Sequence, residues 1–395
     1  MQVCIEEQAV AGQPASTAVF TAVSRNPDAC LAAQELAGQL QGRPLSLVLF
    51  FCSAEYDLER LSAAMQARFG QMQVVGCTTA GEISTAGYER SSITALGFAA
   101  DSFTTASVLI DRMERFSLQD AQELVDGLVR TCREKARVPI KGHSFALTLL
   151  DGLSNREEVV LAALSAALGG VPHFGGSAAD DNQLSLTSVY YGGHFYSNAA
   201  VVVLFNTALD FEVFTTHHLE PTADKLVVTG VDSSSRRILE LNAEPAALAY
   251  ARAIGCTLEE LDMYRFASNP LAVRMGRHFY PRSIQQANSD HSLTFYCAVE
   301  NGIVLTLMRP ASLQDNLHQL FAGLHQRLGH ELLTLGCDCF LRRMEAEGRG
   351  EQQQVAAILK HYRVTGFNTY GEQFNGMHIN QTFTGVAIGQ HPDSR

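Results

Sequence analysis

The first clear pattern in the chain is an apolar run followed by a helical repeat. Residues 45–51 (LSLVLFF) are apolar apart from Ser46, which predicts a strand. Residues 58–69 carry apolar side chains at mixed three- and four-residue spacing, which predicts an amphipathic helix that ends at Gly70. A second short strand leads into the turn GCTTAGE at residues 76–82. The order is therefore strand, helix, strand and turn.

The same order recurs twice later in the chain. The second copy has a strand at residues 145–151, a helix over roughly 156–168 with a Gly-Gly stop signal, and the segment VPHFGGSAADD. The third copy has a strand at residues 332–340, a helix that ends near residue 362, and the turn GFNTYGE at 366–372. Because a β-rich stretch follows each turn, we interpret the three copies as an internal repeat.

The repeat and the chain length together predict the fold class. A chain of 395 residues exceeds the usual size of a single core, so two domains are expected. We predict an α/β (α+β) fold of two domains, built from repeated strand–helix–strand units with β-rich sheets. The predicted divisions are an N-terminal extension at residues 1–30, an N-terminal domain at 31–235 and a C-terminal domain at 236–395.

Charge and composition limit the classes of binding partner and the cellular compartment that we expect for this chain. The formal net charge is −12 and no Lys/Arg-rich run is present, so nucleic acid and membrane surfaces are poor partners. The N-terminus is acidic where a secretion signal would be basic, and the longest apolar runs are far shorter than a membrane span. Nine scattered cysteines without C-x-x-C pairs suit a reducing cytosol. We expect a soluble, cytoplasmic protein.

Common catalytic signatures are missing from the sequence. It contains no phosphate-binding P-loop, no H-E-x-x-H and no G-x-S-x-G, so we expect no enzymatic activity. Cys337 and Cys339 stand at i and i+2 of a predicted strand and would share one face. Such a pair could hold a soft metal or act as a redox pair, whereas packing in the core is the simpler interpretation.

The repeated turn is a candidate ligand site. Its glycines let the backbone approach closely, either to a ligand or to another copy of the unit. We expect the copies to face each other across a cleft, where turn amides and polar side chains would bind a small metabolite such as an amino acid. The candidate residues for this cleft are Thr79, Gly81, Glu82, Ser177, Asp180, Thr369, Gly371 and Glu372.

The adjacent residues His217 and His218 are a second candidate site. On a strand one imidazole faces inward and the other faces solvent, and the surrounding alternation favours His218 as the inward ring. An imidazole on an apolar wall can ligate haem iron, and a hydrogen-bonded core histidine is the alternative. The other candidate residues for such a site are His278 and His378, with Phe214 and Tyr296 as apolar lining.

Three motifs, in order, resemble a known family. GCTTAGEIS (76–84), GGSAADD (175–181) and GFNTYGEQFNGMHINQT (366–382) resemble the FIST domain, a bacterial cytoplasmic sensory module with N- and C-terminal halves. The resemblance covers the chain from about residue 30 onward. Several further stretches are similar to the nitric-oxide-sensing branch called NosP, namely HHLEPTADKLVVTGVD, LNAEPAALAYAR, RSIQQANSDHSLTFYCAVENGIVLTL and LGCDCFLRRMEAE.

That resemblance implies non-covalent haem b, nitric oxide binding at its iron, and control of a sensor histidine kinase or a cyclic-di-GMP enzyme. His218 is the first choice as axial ligand, followed by His278 and His378. Loss of the iron–histidine bond would release the strand that carries His218 and shift the two halves. A FIST module that binds a metabolite without haem, and an interaction scaffold without a ligand, are the alternatives. The oligomeric state stays open, with a homodimer as one option.

Overall fold

The computed structural model describes residues 18–390. Within this range lie nine α-helices and 26 strands, and the strands form four sheets. The mixed α+β fold class predicted from the sequence is confirmed. Three units of similar order follow one another along the chain, and a further sheet is inserted into the third unit.

The first two units are continuous in sequence. The first consists of β1 (Val19–Ser24), α1 (Ala29–Leu40), β2 (Leu45–Ser53), α2 (Leu58–Phe69), β3 (Val74–Thr79), β4 (Glu82–Ser84), β5 (Gly87–Glu89) and β6 (Ile93–Ala99). The second consists of β7 (Phe103–Ile110), α3 (Leu118–Lys135), β8 (Ser144–Leu150), α4 (Glu157–Leu168), β9 (His173–Ser177), β10 (Val189–Tyr191), β11 (His194–Tyr196) and β12 (Ala200–Thr207).

The third unit is interrupted after its first strand, β13 (Asp210–Thr216). The inserted segment contains β14 (Leu219–Asp232), β15 (Arg237–Leu241), β16 (Glu244–Pro245), α5 (Ala246–Ile254), α6 (Met263–Ser268), β17 (Leu271–Met275), β18 (His278–Arg282), β19 (Ile284–Ala287), β20 (Leu293–Phe295) and β21 (Val304–Pro310). The unit resumes with α7 (Leu313–Leu328), β22 (His330–Cys339), α8 (Phe340–Arg349), α9 (Gln352–His361), β23 (Val364–Thr369), β24 (Glu372–Phe374), β25 (Met377–Ile379) and β26 (Phe383–Gln390).

Polar residues directly before several helices determine where those helices begin. The carboxylates of Asp28 and Asp57 accept hydrogen bonds from backbone N–H groups in the first turns of α1 and α2. Ser117 forms a capping box with Asp120 at the start of α3, and Ser312 caps α7. Each cap contributes about 1 kcal/mol to stability, so local sequence defines the helices that cover the sheets.

Each of the first three sheets combines four strands of one unit with the hairpin of another. The first sheet has the order β1-β6-β2-β3-β10-β11 and so includes the hairpin of the second unit. The second sheet, β7-β12-β8-β9-β24-β25, includes the hairpin of the third unit, and the third sheet, β13-β26-β22-β23-β4-β5, includes that of the first. The exchange is cyclic, and no unit completes its sheet alone.

One core lies between the three sheets, and a further core lies under the helices outside each sheet. The central core receives side chains from the second strand of every unit, among them Phe51, Leu147 and Leu335. Helices α1 and α2 cover the first sheet, α3 and α4 the second, and α7 and α9 the third. Because these sheets are buried on both faces, β2 and β8 consist of almost unbroken apolar runs.

The inserted segment forms a sheet of its own, with the order β18-β17-β21-β14-β15-β20-β19 and β16 paired to β15. The predicted boundary between residues 235 and 236 lies inside this sheet, at the turn between β14 and β15. The predicted N-terminal extension contains β1, an edge strand of the first sheet. None of the helices between residues 18 and 390 has both the length and the apolar character needed to span a bilayer.

Candidate functional site

The three repeated turns meet at the centre of the molecule and bond to one another. Backbone N–H groups of Ala80 and Asn368 donate across the first and third turns over 3.0 and 2.7 Å. Ser177 N–H donates to Gly371 C=O over 2.9 Å, and Ala179 N–H donates to Thr78 C=O over 3.0 Å. The turns recur because each marks the point where a unit passes its hairpin to its neighbour.

The expected cleft between the turns is therefore closed in this structure. The eight residues proposed to line it are buried in the turn junction: Thr79, Gly81, Glu82, Ser177, Asp180, Thr369, Gly371 and Glu372. A Cβ atom on Gly176 of the second unit would lie 2.8 Å from the Phe367 ring of the third unit. The glycines permit close approach to another copy of the unit, which was the second of the two expectations. A ligand cleft lined by these eight residues stays a prediction, and in this structure the turns bond directly to one another.

Two buried carboxyl groups fix the turns to the hairpins that follow them. Glu82 accepts hydrogen bonds from the hydroxyls of Thr79 and Ser92. Glu372 accepts from the backbone N–H and the hydroxyl of Thr382 over 3.0 and 2.8 Å. Burial raises the pKa of Glu82 to about 7 and that of Glu372 well above its ordinary value, although these hydrogen bonds oppose the change. The burial of both carboxyl groups is therefore explained by their structural role at the turns.

A groove opens where the inserted sheet meets the repeated units. Its volume is about 410 Å³, and its walls are the end of β13, the edge strand β18 and the hairpin β24–β25. The lining is mainly aromatic and apolar, with two imidazoles: Thr215, Thr216, His217, His278, Phe279, Tyr280, Pro281, Phe374, Met377, Ile379 and Thr382. The size is within the range of about 300–1,000 Å³ that is typical of small-molecule sites.

The two histidines of the groove differ in how they are held. The Nδ1 atom of His217 accepts a hydrogen bond from the Leu219 N–H over 3.2 Å. Burial, assisted by the charge of Arg342, lowers the pKa of His217, while a hydrogen bond to the backbone of Phe279 opposes this. His278 is exposed on β18, and within residues 18–390 its ring has no hydrogen-bond partner. The His278 ring is therefore the one that can bind a ligand.

His218, the predicted axial ligand, lies behind the groove in a fully buried polar network. Its Nε2 atom is 2.8 Å from Glu345 Oε2, and Arg342 Nη1 is 2.8 Å from its Nδ1 atom. Arg342 also pairs with Asp338 over 2.7 Å, and Asp338 accepts from the Tyr88 hydroxyl. Because arginine can only donate, Nδ1 must accept and Nε2 must donate. Neither ring nitrogen of His218 is open to an iron ion.

The protonation state of His218 agrees with that network. Burial lowers the pKa of His218, although the hydrogen bond to Glu345 opposes the change. The neutral imidazole can accept from Arg342 and donate to Glu345 at the same time, whereas the imidazolium would place a proton against the guanidinium. The network joins the hairpin of the first unit, strand β22, helix α8 and the chain segment that enters the inserted sheet.

The third predicted ligand, His378, lies in a separate ion-pair cluster. Its Nδ1 atom is 3.1 Å from Glu158 Oε1, and its Nε2 atom is buried without a partner among the described residues. Arg236 from the inserted sheet pairs with Glu157 over 2.7 Å and with Glu158. This cluster connects the inserted sheet, the start of α4 and the hairpin β24–β25.

The remaining predicted residues also lie apart from the groove. Phe214 packs edge-to-face against Phe383 in the core under α7 and α9. Tyr296 belongs to another cluster, with Phe340 and Tyr370. The five residues predicted to bind one cofactor therefore occupy five different environments, and only His278 lies in the groove.

The cysteine pair of β22 does not form a single site. Cys337 packs in the central core and Cys339 packs with the Tyr296 cluster. Burial raises the pKa of both thiols well above the ordinary value. Within the described part of the chain, no group of three or more His, Cys, Asp or Glu side chains is placed to hold a metal ion.

Of the residues that line the groove, only His278 was predicted from the sequence, and the other imidazole, His217, was not. His217 was set aside because it was assigned to the solvent side of the strand. The pair His217–His218 nonetheless contained the signal, since alternation directs one ring to the core and the other to a surface that another element can cover. Here β18 of the inserted sheet covers it.

Comparison with known families agrees with the repeated motifs. The model of the FIST N domain matches residues 46–244, and that of the FIST C domain matches residues 246–375. An uncharacterized protein of Methanocaldococcus jannaschii, MJ1623, is 24% identical over 209 residues. The alignment covers 52% of this chain and 40% of that relative, so the chain spans about two fifths of the relative's length.

Proposed function

The chain belongs to the FIST family, whose domains are sensory modules, and we propose that it senses nitric oxide through haem b held non-covalently in the groove. In this proposal the protein acts in the cytoplasm and controls a partner, either a sensor histidine kinase or a cyclic-di-GMP enzyme. The resemblance of several stretches to the NosP branch supports the ligand and the class of partner.

The observation that carries the proposal is an imidazole, at an aromatic and apolar wall, that has no hydrogen-bond partner among residues 18–390. His278 presents its ring to a groove lined by Phe279, Phe374 and Met377, among others. A flat apolar macrocycle requires such a wall, and haem iron requires an imidazole nitrogen whose lone pair is not used by another donor. The donor set therefore fits haem b.

We place the iron at His278 rather than at His218. The two ring nitrogens of His218 are occupied by Arg342 and Glu345, and freeing either nitrogen for iron would remove a hydrogen bond from a buried charged group. His217 would line the cofactor from the side of β13. Haem, if bound there, would supply an iron that can bind nitric oxide, and the His278 imidazole would hold that iron.

The position of the groove suggests how occupancy reaches the rest of the protein. β18 is the edge strand of the inserted sheet, while β13 and the hairpin β24–β25 belong to the repeated units. A group held between them by His278 would favour one arrangement of the inserted sheet over others, which is what a two-state sensor needs. Directly behind the groove, His218 anchors the point where the chain enters the inserted sheet.

A haem titration of histidine variants tests this assignment. His278→Ala should lose most haem binding, and His217→Ala should weaken it less. His318, an exposed residue of α7, provides the matched control, and His318→Ala should bind haem as the wild type does. Equal haem affinity of His278→Ala and His318→Ala would contradict the assignment. A colourless wild type that is nevertheless stabilised by a metabolite would favour a FIST module without haem.

A further inference from the structure

A second, larger cavity lies at the opposite end of β13 from the groove. Its volume is about 810 Å³, and it is formed between the second and third units. On β13 the cavity lining ends at Phe211 and the groove lining begins at Thr215, four residues or about 13 Å away at about 3.3 Å per residue. The cavity is therefore distinct from the proposed haem site.

The cavity has more positive than negative charge, although the whole protein is acidic. Arg133, Lys141, His143 and Arg327 line it, and Asp210 is the one carboxylate among its lining residues. Arg327 is neutralised by two contacts with Glu212, at 2.7 and 2.8 Å. Within residues 18–390, the side chains of Arg133 and Lys141 have no ion pair or hydrogen bond. Two cations and an imidazole are thus available at one cavity in a protein of net charge −12.

The rest of the lining is apolar and includes one aromatic ring. Phe211 from β13 and Val171 and Pro172 from the loop after α4 form part of the wall. Two separate cations exceed what a monocarboxylate needs but suit the oxygens of a phosphate, and the apolar wall suits a ring. We propose that this cavity binds a phosphorylated small molecule that carries a flat ring, with a mononucleotide as the representative.

Helix dipoles do not fully explain these cations. Helices α4 and α7 end beside the cavity, and free carbonyl groups at helix C-termini attract positive charge. Arg133 and Arg327 already lie in the last turns of α3 and α7. Lys141 and His143 lie outside the helices, in the segment that leads into β8, and so add charge beyond what α7 supplies for itself.

Fluorescence anisotropy with mant-AMP, a fluorescent AMP, tests the proposal on the full chain, with and without haem. Wild-type protein should bind the probe at low salt and lose affinity at about 0.5 M NaCl, because the contacts are ionic. The double variant Arg133→Gln/Lys141→Gln should bind at least about tenfold more weakly. Lys225→Gln/Lys360→Gln removes the same charge from exposed positions elsewhere and should bind like the wild type.

The result that would overturn the proposal is equal binding by the two double variants, or no binding of the probe by the wild type. Competition with unlabelled AMP and with inorganic phosphate tests the apolar wall. AMP should displace the probe at lower concentration than phosphate, and equal displacement would contradict a site for a ring. Because the assay also uses haem-free protein, its outcome is independent of the haem proposal.

Discussion

Replacing His218 with alanine should strongly destabilise the protein, because the imidazole is the link between two buried charged groups. His218 accepts from Arg342 and donates to Glu345, both over 2.8 Å, and the three side chains are almost fully buried. The substitution removes an acceptor from a guanidinium and a donor from a carboxylate. Water has little access to replace either contact.

The magnitude can be estimated from the groups left behind. A hydrogen bond to a charged group contributes about 1.5–3 kcal/mol, so the two bonds of the neutral His218 ring together contribute about 3–6 kcal/mol. Glu345 keeps a contact with Arg349 at 3.1 Å, and Arg342 keeps Asp338 at 2.7 Å, so we expect the lower part of that range. Total stabilities of domains are about 5–15 kcal/mol, so a loss of about 3 kcal/mol is large.

Urea unfolding followed by far-UV circular dichroism measures this change through the midpoint and the extrapolated free energy of unfolding. His218→Gln keeps one donor and one acceptor and should recover part of the loss. His318→Ala, on the exposed face of α7, should remain within about 0.5 kcal/mol of the wild type. In the double variant His218→Ala/Glu345→Ala, the loss should be smaller than the sum of the two single losses.

A loss below about 1 kcal/mol for His218→Ala, together with additive behaviour of the double variant, would refute this reasoning. Such a result would mean that the network rearranges or that water satisfies Arg342 and Glu345. It would also reopen His218 as a ligand, since a ring that is easily released from its partners could bind iron.

Three further substitutions test the other buried contacts. Glu82→Gln should stabilise the protein above pH 7 by up to about 3 kcal/mol and have no effect near pH 4. The reason is that the pKa of Glu82, raised to about 7, makes ionisation of this carboxyl costly only in the folded state, and thermal unfolding measured at several pH values tests this. Gly371→Ala should lower the melting temperature, since its Cβ would meet His378. Arg236→Ala should leave Glu157 unpaired and speed proteolysis of the inserted sheet relative to the wild type.

Individual strands and helices were predictable because each is indicated by the pattern of apolar residues within its own segment. Strands β2 and β8 are buried on both faces and therefore appear as apolar runs, and the helices that follow them show three- and four-residue spacing. The exchange of hairpins was not predictable from these patterns, because β4 pairs with β23 nearly three hundred residues away. The sequence of a strand indicates that the strand is buried, but it does not indicate with which sheet the strand pairs.

The candidate site was predictable only in part for the same reason. His278 was named, but its groove is formed by β13, β18 and the hairpin β24–β25, which are far apart in sequence. His218 has the inward orientation that was predicted, yet the partners Arg342 and Glu345 that occupy its nitrogens come from α8. Periodicity indicates which side chain is buried, whereas the choice between an apolar pocket and a polar network depends on tertiary contacts.

The most direct test of the central proposal is the absorbance spectrum of the haem-supplied wild-type protein after gel filtration, reduced, before and after addition of nitric oxide. Binding at His278 predicts a Soret band that co-elutes with the protein and shifts with nitric oxide, and that is lost in His278→Ala but kept in His318→Ala. A colourless wild type, or a band that shifts with nitric oxide equally in both variants, would contradict the account.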